Sequence, residues 1–250
     1  MSREQDQRLR MQLEELRLDY VAQNHEPLAQ TAAEKHWTHV DYLARLIDGQ
    51  SQACQQRSIQ RRIQAAGFPV IKTVEDFDWN WPKKINRPVI QNLMRLGFVE
   101  SRHNVVLVGG VGLGKTHLAI ALGHAACMAG HTVRFTTAVE IINTLTAAQV
   151  THRMKSELKK FVRPGLLCID EVGYLPIDKL GADLLFQVIS ERYERGSIVL
   201  TTNQTYKNWP KIFNGDATLT SAVLDRLLHH AETVVVEGKS YRMKDQIQDL

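Results

Sequence analysis

The sequence lacks the features of a membrane protein or a secreted protein, and its cysteines lack the spacing of a metal site. No apolar run among its 250 residues approaches the about 18 residues that a bilayer-spanning helix needs. The first ten residues are polar and of mixed charge, unlike a signal peptide. The three cysteines lie far apart, outside any metal-ligand spacing. This pattern favours the interpretation that they are small core residues of a protein in a reducing compartment. The adjacent His229 and His230 likewise show no ligand spacing and read as surface or packing residues. We therefore expect a cytoplasmic protein without a membrane partner.

Acidic residues are scarce in three segments of the chain. Residues 57–72 carry four basic groups and no acid, residues 83–102 carry five against one glutamate, and residues 153–163 also carry five against one. The net charge is only +4, so the clustering of the charges is more informative than their sum. Such clusters favour a polyanionic partner, of which nucleic acid is the usual one. For any single cluster, a solvated helix face is the alternative.

The first 75 residues have the periodicity of helices. Apolar residues share one face over Leu9–Tyr20, and a second helix is indicated by Val40–Ile47. Thr38 and Asp41 form a capping-box pattern at the start of that second helix. A third helix is predicted over Ser51–Ala66, where a glycine and then a proline end the pattern. We predict a helical N-terminal domain over residues 1–75 that contacts DNA or a protein partner.

A different pattern follows the aromatic and acidic segment 74–81, which reads as a linker packed on the next domain. From there apolar strands alternate with helices, which argues for a parallel sheet covered on both faces. The sequence thus predicts an α/β domain over residues 76–250. The predicted strands are Val105–Val108, Thr132–Thr136, Leu166–Ile169, Ser197–Leu200 and Thr233–Val236, and the predicted helices are Thr116–Ala129, Val139–Leu145, Gly181–Arg195 and Thr220–His230.

A glycine-rich turn after the first strand matches the P-loop pattern G-x-x-x-x-G-K-[ST]. Its glycines let backbone N–H groups surround phosphate oxygens, and the helix that follows points its positive end at the anion. Lys115 would place a charge on the β and γ phosphates, and the Thr116 hydroxyl would bind Mg²⁺. The predicted nucleotide site consists of Gly109, Gly110, Val111, Gly112, Leu113, Gly114, Lys115 and Thr116.

Two acids follow the apolar strand Leu166–Ile169. Asp170 can hold the hydration shell of Mg²⁺, and Glu171 can polarise a water for attack on the γ phosphate. Acids at the carboxyl end of a central parallel strand lie in the ligand crevice, although a helix-capping or turn pair is the alternative. The sequence lacks the base-reading Asn-Lys-x-Asp signature of GTPases, so these motifs favour an ATPase.

Three further polar positions are candidates for the reaction. Asn203, or as second choice Thr202, could hydrogen-bond the attacking water, although asparagine after a strand is usually a turn residue. Arg226 could be a finger that a neighbouring subunit inserts at the γ phosphate, the alternative being an intrachain ion pair. Arg242 could contact a nucleotide, the alternative being a residue of a C-terminal tail without a role in the site.

The longest motifs resemble those of IstB proteins, the ATP-binding helpers of a family of bacterial insertion sequences. The resemblance rests on GGVGLGKTHLAIALG, CIDEVGYLPIDKLGADLLFQVISERYERGSIVLTTN and VLDRLLHHA, and it extends over essentially the whole chain. The stretches 171–176 and 185–195 are far more specific than the P-loop. IstB proteins are similar to the helicase loader DnaC and the initiator DnaA. The resemblance therefore implies an AAA+ P-loop ATPase core with a central parallel sheet, preceded by a small all-helical domain.

The resemblance also implies partners. IstB-like proteins assemble on double-stranded DNA with ATP, help to select the target, and stimulate an IstA-type transposase. It implies a homo-oligomer with ATP at the subunit interfaces, where Asn203 takes the sensor-1 position and Arg226 serves a neighbour. Relatives carry an extra helix between the second and third core strands that contacts DNA. Its counterparts here are Arg153, Lys155, Lys159 and Lys160.

The sequence departs from the pattern of the family at two points. Gly110 stands where the family often has proline, which keeps the P-loop pattern at some cost in rigidity. Only 24 residues follow Arg226, too few for the helical lid of many AAA+ proteins, so no full lid is expected. The role of Arg242 as a lid-type sensor is correspondingly open.

Two other functions fit the same motifs. A DnaC-like helicase loader that binds single-stranded DNA would carry the same motor. Alternatively, ATP could act only as an assembly ligand, with its hydrolysis incidental.

Overall fold

The computed structural model of the protein describes residues 3–241. Contacts divide the chain into two compact units, one up to Arg61 and one from Arg62 onward. Within residues 3–241, none of the helices combines the length with the apolar character that crossing a bilayer requires.

The first unit is helical, as predicted, but its helices differ from the predicted ones. Tyr20 does not continue the face that begins at Leu9, because the chain turns after Glu15 and Arg17 has a φ of 58°. Tyr20 instead lies in a helix that the sequence analysis did not predict, and its ring occupies the space where a Cβ of Gly49 would lie, at 2.1 Å. The helices are α1 (Arg3–Glu15), α2 (Asp19–Glu34) and α3 (His39–Ala66), which continues into the second unit.

The helices predicted at Val40–Ile47 and Ser51–Ala66 are one continuous helix, α3. Its predicted capping box is confirmed: the Asp41 N–H donates to Thr38 Oγ1, and the Thr38 N–H donates to the Asp41 carboxylate, each at 3.1 Å. Hydrogen bonds from Thr38 hold the pKa of Asp41 below its ordinary value. Gly67, at a φ of 74°, follows the last helical residue, as predicted. The large apolar residues of the first range are exposed rather than packed.

The second unit is built on a five-stranded parallel sheet. Each predicted strand is confirmed, with ends that shift by a few residues, and so is the parallel pairing that the alternation predicted. The strands are β1 (Asn104–Gly109), β2 (Val133–Thr137), β3 (Leu166–Val172), β4 (Ser197–Thr202) and β5 (Ala231–Val236). They lie in the order β2-β3-β4-β1-β5 across the sheet.

Helices cover both faces of this sheet. Successive residues of β1 point to opposite faces. Val105 and Leu107 join the core that includes the helix Lys115–Met128. Val106 and Val108 join the core that includes the helices Ala138–Val150, Lys179–Arg192 and Ala217–Leu228. All four long helices predicted for this unit are present, with shifted ends. The helices are α4 (Arg87–Leu93), α5 (Gly97–Glu100), α6 (Lys115–Met128), α7 (Ala138–Val150), α8 (Met154–Val162), α9 (Lys179–Arg192), α10 (Trp209–Ile212) and α11 (Ala217–Leu228), with a 3₁₀ turn at Tyr206–Asn208.

The aromatic and acidic segment 74–81 packs on the second unit, as predicted. Phe77 is buried in the core beside α6, and Lys84 pairs with Glu237 in an antiparallel bridge beyond β5. The contacts divide the chain before this segment, so residues 62–75 belong by contact with the second unit. The domain limits 1–75 and 76–250 stay a prediction.

The cysteines are reduced, and two of the three are core residues. Cys127 and Cys168 are buried, as their apolar surroundings predicted, whereas Cys54 is exposed. Burial raises the pKa of the Cys127 thiol to about 11, and it raises the pKa of Cys168 well above its ordinary value. Both buried thiols are therefore neutral at neutral pH.

Candidate functional site

The predicted P-loop connects the end of β1 to the start of α6, the strand-turn-helix arrangement that the pattern requires. Gly112 and Gly114 have φ angles of 74° and 85°, in the left-handed region that glycine adopts at little cost. A Cβ at Gly114 would also lie 2.6 Å from Cε2 of Phe77. Both glycines are thus needed for the curvature of the loop, and Gly114 is also needed for the close approach of the preceding linker.

Lys115 lies under the loop that precedes it. Its side chain is only 3% exposed, and Nζ donates to the carbonyl oxygen of Gly110 at 2.7 Å. Nζ also lies 3.4 Å from the hydroxyl of Tyr174, a contact that the sequence analysis did not anticipate. A buried ammonium group held at the mouth of a P-loop is placed to meet the negative charge of a polyphosphate.

Thr116 and Asp170 are brought together as the sequence predicted. The Thr116 hydroxyl donates to Oδ1 of Asp170 at 3.0 Å, and the Asp170 side chain is almost fully buried. A hydroxyl and a carboxylate are oxygen donors of the kind that Mg²⁺ prefers. The residues present therefore fit a magnesium ion between the start of α6 and the end of β3.

Thr201 is a site residue that the sequence analysis missed. Its hydroxyl donates to the carboxylate of Asp170 and accepts the backbone N–H of Glu171 at 3.0 Å, so it links β4 to both acids. A sequence signal was present, because Thr201 belongs to the same strand end as Thr202 and Asn203, the two residues considered as candidates. Choosing it required the register of β3 against β4, which pairs Ile169 with Leu200.

Glu171 occupies an unusual backbone conformation at the end of β3. Its φ is 62°, rare for a residue with a side chain, and the pairing with β4 is irregular between Ile169 and Val172. The Glu171 side chain is exposed and lines the same cavity as the P-loop. Such strain often marks a functional position, and here it lets one strand bury Asp170 while turning the next carboxylate toward the cavity.

A cavity of about 450 Å³ lies against the P-loop. One part of its wall is polar and includes Lys115, Thr116 and Glu171. The other part is aromatic, and sequence reasoning did not assign its residues to the site, although the aromatic composition of the linker signalled a packing role. The aromatic residues that line the cavity are Phe77, Trp81, Tyr174 and Tyr241.

The segment after β5 closes over the P-loop. The N–H of Tyr241 donates to the carbonyl oxygen of Gly112 at 2.8 Å, and the Trp81 indole N–H donates to the carbonyl oxygen of Lys239 at 2.9 Å. Ser240 fills the space beside Gly112, where a Cβ would lie 2.1 Å from its Oγ. The linker and the C-terminal segment thus form one wall beside the phosphate loop.

Asn203 and Thr202 differ in their hydrogen bonds at the end of β4. Thr202 is buried, and its hydroxyl accepts the N–H of Gln204 at 3.1 Å, a local turn contact. Oδ1 of Asn203 is buried and accepts no hydrogen bond from the residues that the structure describes. Neither residue lines the P-loop cavity. The assignment of Asn203 to the attacking water stays a prediction.

Arg226 lies on α11 and is not part of the cavity wall. Its guanidinium lies 4.9 Å from the ring centroid of Phe186 and donates to the carbonyl oxygen of Ala222 at 3.0 Å. No ion pair involves it within residues 3–241. A role toward a neighbouring subunit stays a prediction, and Arg242 lies outside the described residues.

A second, basic groove lies along α8, in the predicted position between the second and third strands of the chain. Apolar residues of α8, among them the buried Phe161, pack against the core. The basic side of this helix therefore faces outward. Lys160 pairs with Glu157 at 2.7 Å. The groove is lined by Thr132, His152, Arg153, Lys155, Ser156, Lys159, Lys160, Arg163 and Pro164. The predicted cluster is therefore a continuous basic surface.

Comparison with known sequences identifies related proteins along nearly the whole chain. A family model described as IstB-like ATP binding protein matches residues 11–249. A Pseudomonas aeruginosa protein, named as the ATP-binding protein of insertion sequence IS21, is 38% identical over 238 residues, which are 95% of this chain and 89% of that protein. The counterpart named for insertion sequence IS5376 in Geobacillus stearothermophilus is 36% identical over 231 residues, covering 92% of each chain.

Solved structures share the fold at low sequence identity. The DnaC helicase loader superposes with a TM-score of 0.52 and 22% identity, over 64% of this chain and 98% of that one. DnaA from Aquifex aeolicus, in a structure titled as bound to AMPPCP, superposes with a TM-score of 0.57 and 19% identity, over 74% and 57% of the two chains. These likenesses confirm the predicted fold, a central parallel sheet with helices on both faces.

Proposed function

The chain belongs to the family of IstB-like ATP binding proteins, and from this premise we propose that it is an ATP-dependent helper of transposition. It oligomerises on duplex target DNA, hydrolyses ATP, and recruits and stimulates an IstA-type transposase. The observation that carries the proposal is the set of hydrogen bonds that connects Thr116, Asp170, Thr201 and Glu171 beside the P-loop lysine. These residues supply both a magnesium site and a base.

ATP binding follows from the two walls of the cavity. Backbone N–H groups of the P-loop, with Lys115, would hold the phosphates, while Thr116 and Asp170 would hold Mg²⁺. When bound, the ion neutralises charge on the phosphates. The aromatic wall, with Phe77 and Trp81, is the apolar surface in the cavity on which the nucleoside can rest.

Hydrolysis is assigned to Glu171. Its exposed carboxylate faces the cavity and can accept the proton of a water that attacks the γ phosphate. Asn203 would orient that water, and Arg226 would reach the γ phosphate of a neighbouring subunit. The pairing of Arg226 with Phe186 and Ala222, in place of an acid, is compatible with a guanidinium that moves to a partner.

DNA binding is assigned to the basic groove of α8. Its cations would contact backbone phosphates, so affinity would depend steeply on salt and weakly on base sequence. The names of the relatives place them in insertion sequences, which supports a transposase as partner and duplex DNA as target.

Charge reversal in the groove tests this assignment. The double variant Lys159→Glu with Lys160→Glu is expected to weaken binding to duplex DNA at least about 10-fold at fixed salt. It should also reduce the slope of log K against log salt by about 2 units, because two phosphate contacts are lost. Fluorescence anisotropy with labelled duplex, at several salt concentrations, measures both quantities.

The matched control is Lys207→Glu with Lys211→Glu, which changes the net charge equally at two exposed lysines outside the groove. It should reduce DNA affinity much less than the groove variant, and both variants should keep their affinity for ATP. Equal losses in the two variants would show that net charge, and not the groove, determines binding.

A helicase loader is the second candidate function, because the DnaC helicase loader shares the fold of this chain over 98% of its own length. Binding of duplex and single-stranded DNA of equal length, compared at equal salt with ATP present, distinguishes the two. The transposition helper should prefer the duplex. A strong preference for single strands would favour the loader.

A further inference from the structure

Histidines gather at the edge of the sheet opposite the P-loop. Two turns meet there: Tyr193–Gly196 follows α9 and enters β4, and His229–His230 follows α11 and enters β5. They are neighbours because β4 and β5 both pair with β1, one on each side. His103, just before β1, lies between them. The six residues of β1 separate this edge from the P-loop by about 20 Å.

The side chains of these turns converge. Glu194, His229 and His230 each offer one ligand atom, and the three atoms lie within 4.8 Å of one another. The ring centroids of His229 and His230 are 4.0 Å apart, and His103 stacks on His230 at 5.0 Å with an angle of 10° between the planes. Two imidazoles and a carboxylate thus share one small volume at the surface.

Neighbouring groups orient two of the three ligands. The hydroxyl of Tyr193 lies 2.8 Å from Nδ1 of His229, which leaves Nε2 as the ring nitrogen for a cation. Arg102 donates to the backbone carbonyl oxygen of Glu194 at 3.0 Å, and Glu194 has a φ of 58°. Such supporting contacts are typical of residues that bind metals.

We propose that Glu194, His229 and His230 bind one zinc ion, with water in the fourth position. Imidazole and carboxylate ligands suit Zn²⁺, whereas Mg²⁺ prefers sites made of oxygen alone. With Zn–N distances of about 2.0 Å, ligand atoms of a tetrahedral site lie about 3.3 Å apart, so small rotations of these exposed side chains complete it.

The ion has a structural consequence. It ties the turn before β4 to the C-terminal end of α11, the helix that carries Arg226. Zinc would therefore stabilise the second unit and fix the end of α11, without taking part in the chemistry at the P-loop.

Titration of the full chain, without an affinity tag, with zinc chloride tests the site and needs neither ATP nor DNA. Isothermal titration calorimetry is expected to give one zinc per chain, and Co²⁺ in its place should give the visible absorption of a tetrahedral ion. Zinc should also raise the melting temperature of the wild-type protein. His230→Gln and Glu194→Gln should each weaken zinc binding at least about 10-fold.

The matched control is His39→Gln, an exposed histidine at the start of α3. It should bind zinc as the wild type does, and melting curves without zinc should show that every variant is folded. Unchanged zinc affinity in His230→Gln and Glu194→Gln would overturn the proposal, as would the absence of saturable binding in the wild type. One zinc per two chains would overturn it too, since the ion would then bridge molecules.

Discussion

Replacing Glu171 with glutamine is expected to lower the turnover number for ATP hydrolysis by about 10²- to 10⁴-fold while ATP affinity changes little. Glutamine has nearly the same shape as glutamate, but its amide cannot accept a proton from water. The phosphate and magnesium contacts assigned to Lys115, Thr116 and Asp170 are untouched by this change. Binding and turnover should therefore separate cleanly.

Two measurements establish that separation. Release of phosphate under saturating ATP, with DNA present, gives turnover, and a fluorescent ATP analogue gives affinity. Glu191→Gln makes the same chemical change on the surface of α9, where Glu191 pairs with Arg195, and it should hydrolyse ATP as the wild type does. Normal turnover in Glu171→Gln would show that the assignment of the base is wrong.

The same variant addresses what hydrolysis is for. If ATP turnover drives the cycle, Glu171→Gln should remain on DNA as an ATP-bound oligomer and fail to support repeated rounds of transposition. A transposition assay with its partner transposase measures this. Full transposition by a variant that cannot hydrolyse ATP would mean that ATP acts only as an assembly ligand.

Replacing Arg192 with methionine is expected to destabilise the protein by about 3–5 kcal/mol, because the change leaves several buried carbonyl oxygens without their hydrogen-bond donor. Arg192 ends α9 and is only 1% exposed. Burial lowers its pKa to about 10, so it is still cationic at neutral pH. Its guanidinium donates to five backbone carbonyl oxygens, those of Phe161, Val162, Pro164, Gly165 and Ser197.

The effect is large because methionine can satisfy none of these acceptors. Burying a carbonyl without a partner costs about 1–3 kcal/mol, only part of which local relaxation recovers. Gly196 leaves room for the guanidinium, since a Cβ there would lie 2.7 Å from Nη2. Two of the acceptors belong to the last turn of α8, so loss of Arg192 should also loosen the basic groove.

Urea denaturation followed by circular dichroism measures the free energy of unfolding. Arg195→Met is the matched control, because Arg195 is 72% exposed in its side chain and makes a surface ion pair with Glu191. It should change stability by less than about 1 kcal/mol. Similar losses in both variants would contradict a special role for Arg192.

The sequence by itself determined the P-loop domain of this protein. The P-loop pattern, the acids after an apolar strand and the alternation of strands and helices predicted the parallel sheet and the meeting of Thr116 with Asp170. These predictions succeeded because each depends on local spacing: strand and helix periodicities are short, and acids at strand ends lie at the same sheet edge in any doubly covered parallel sheet. The identity of the family followed from the same stretches.

The N-terminal helices were predicted less well for a related reason. Apolar spacing alone cannot tell a turn from a continued helix, so Leu9 and Tyr20 were placed on one face, and α3 was divided near Gly49. Only the packing of Tyr20 against Gly49 explains why glycine is compatible with an unbroken helix there.

What only the tertiary structure decided depends on contacts between segments far apart in the chain. Thr201 reaches the two acids through the register of β3 and β4, and the C-terminal segment closes over Gly112. Glu194 and His229 come together because β4 and β5 flank the same strand, although the sequence spacing of His229 and His230 had argued against a metal. Strand order and register result from the packing of the whole domain, and no local pattern encodes them.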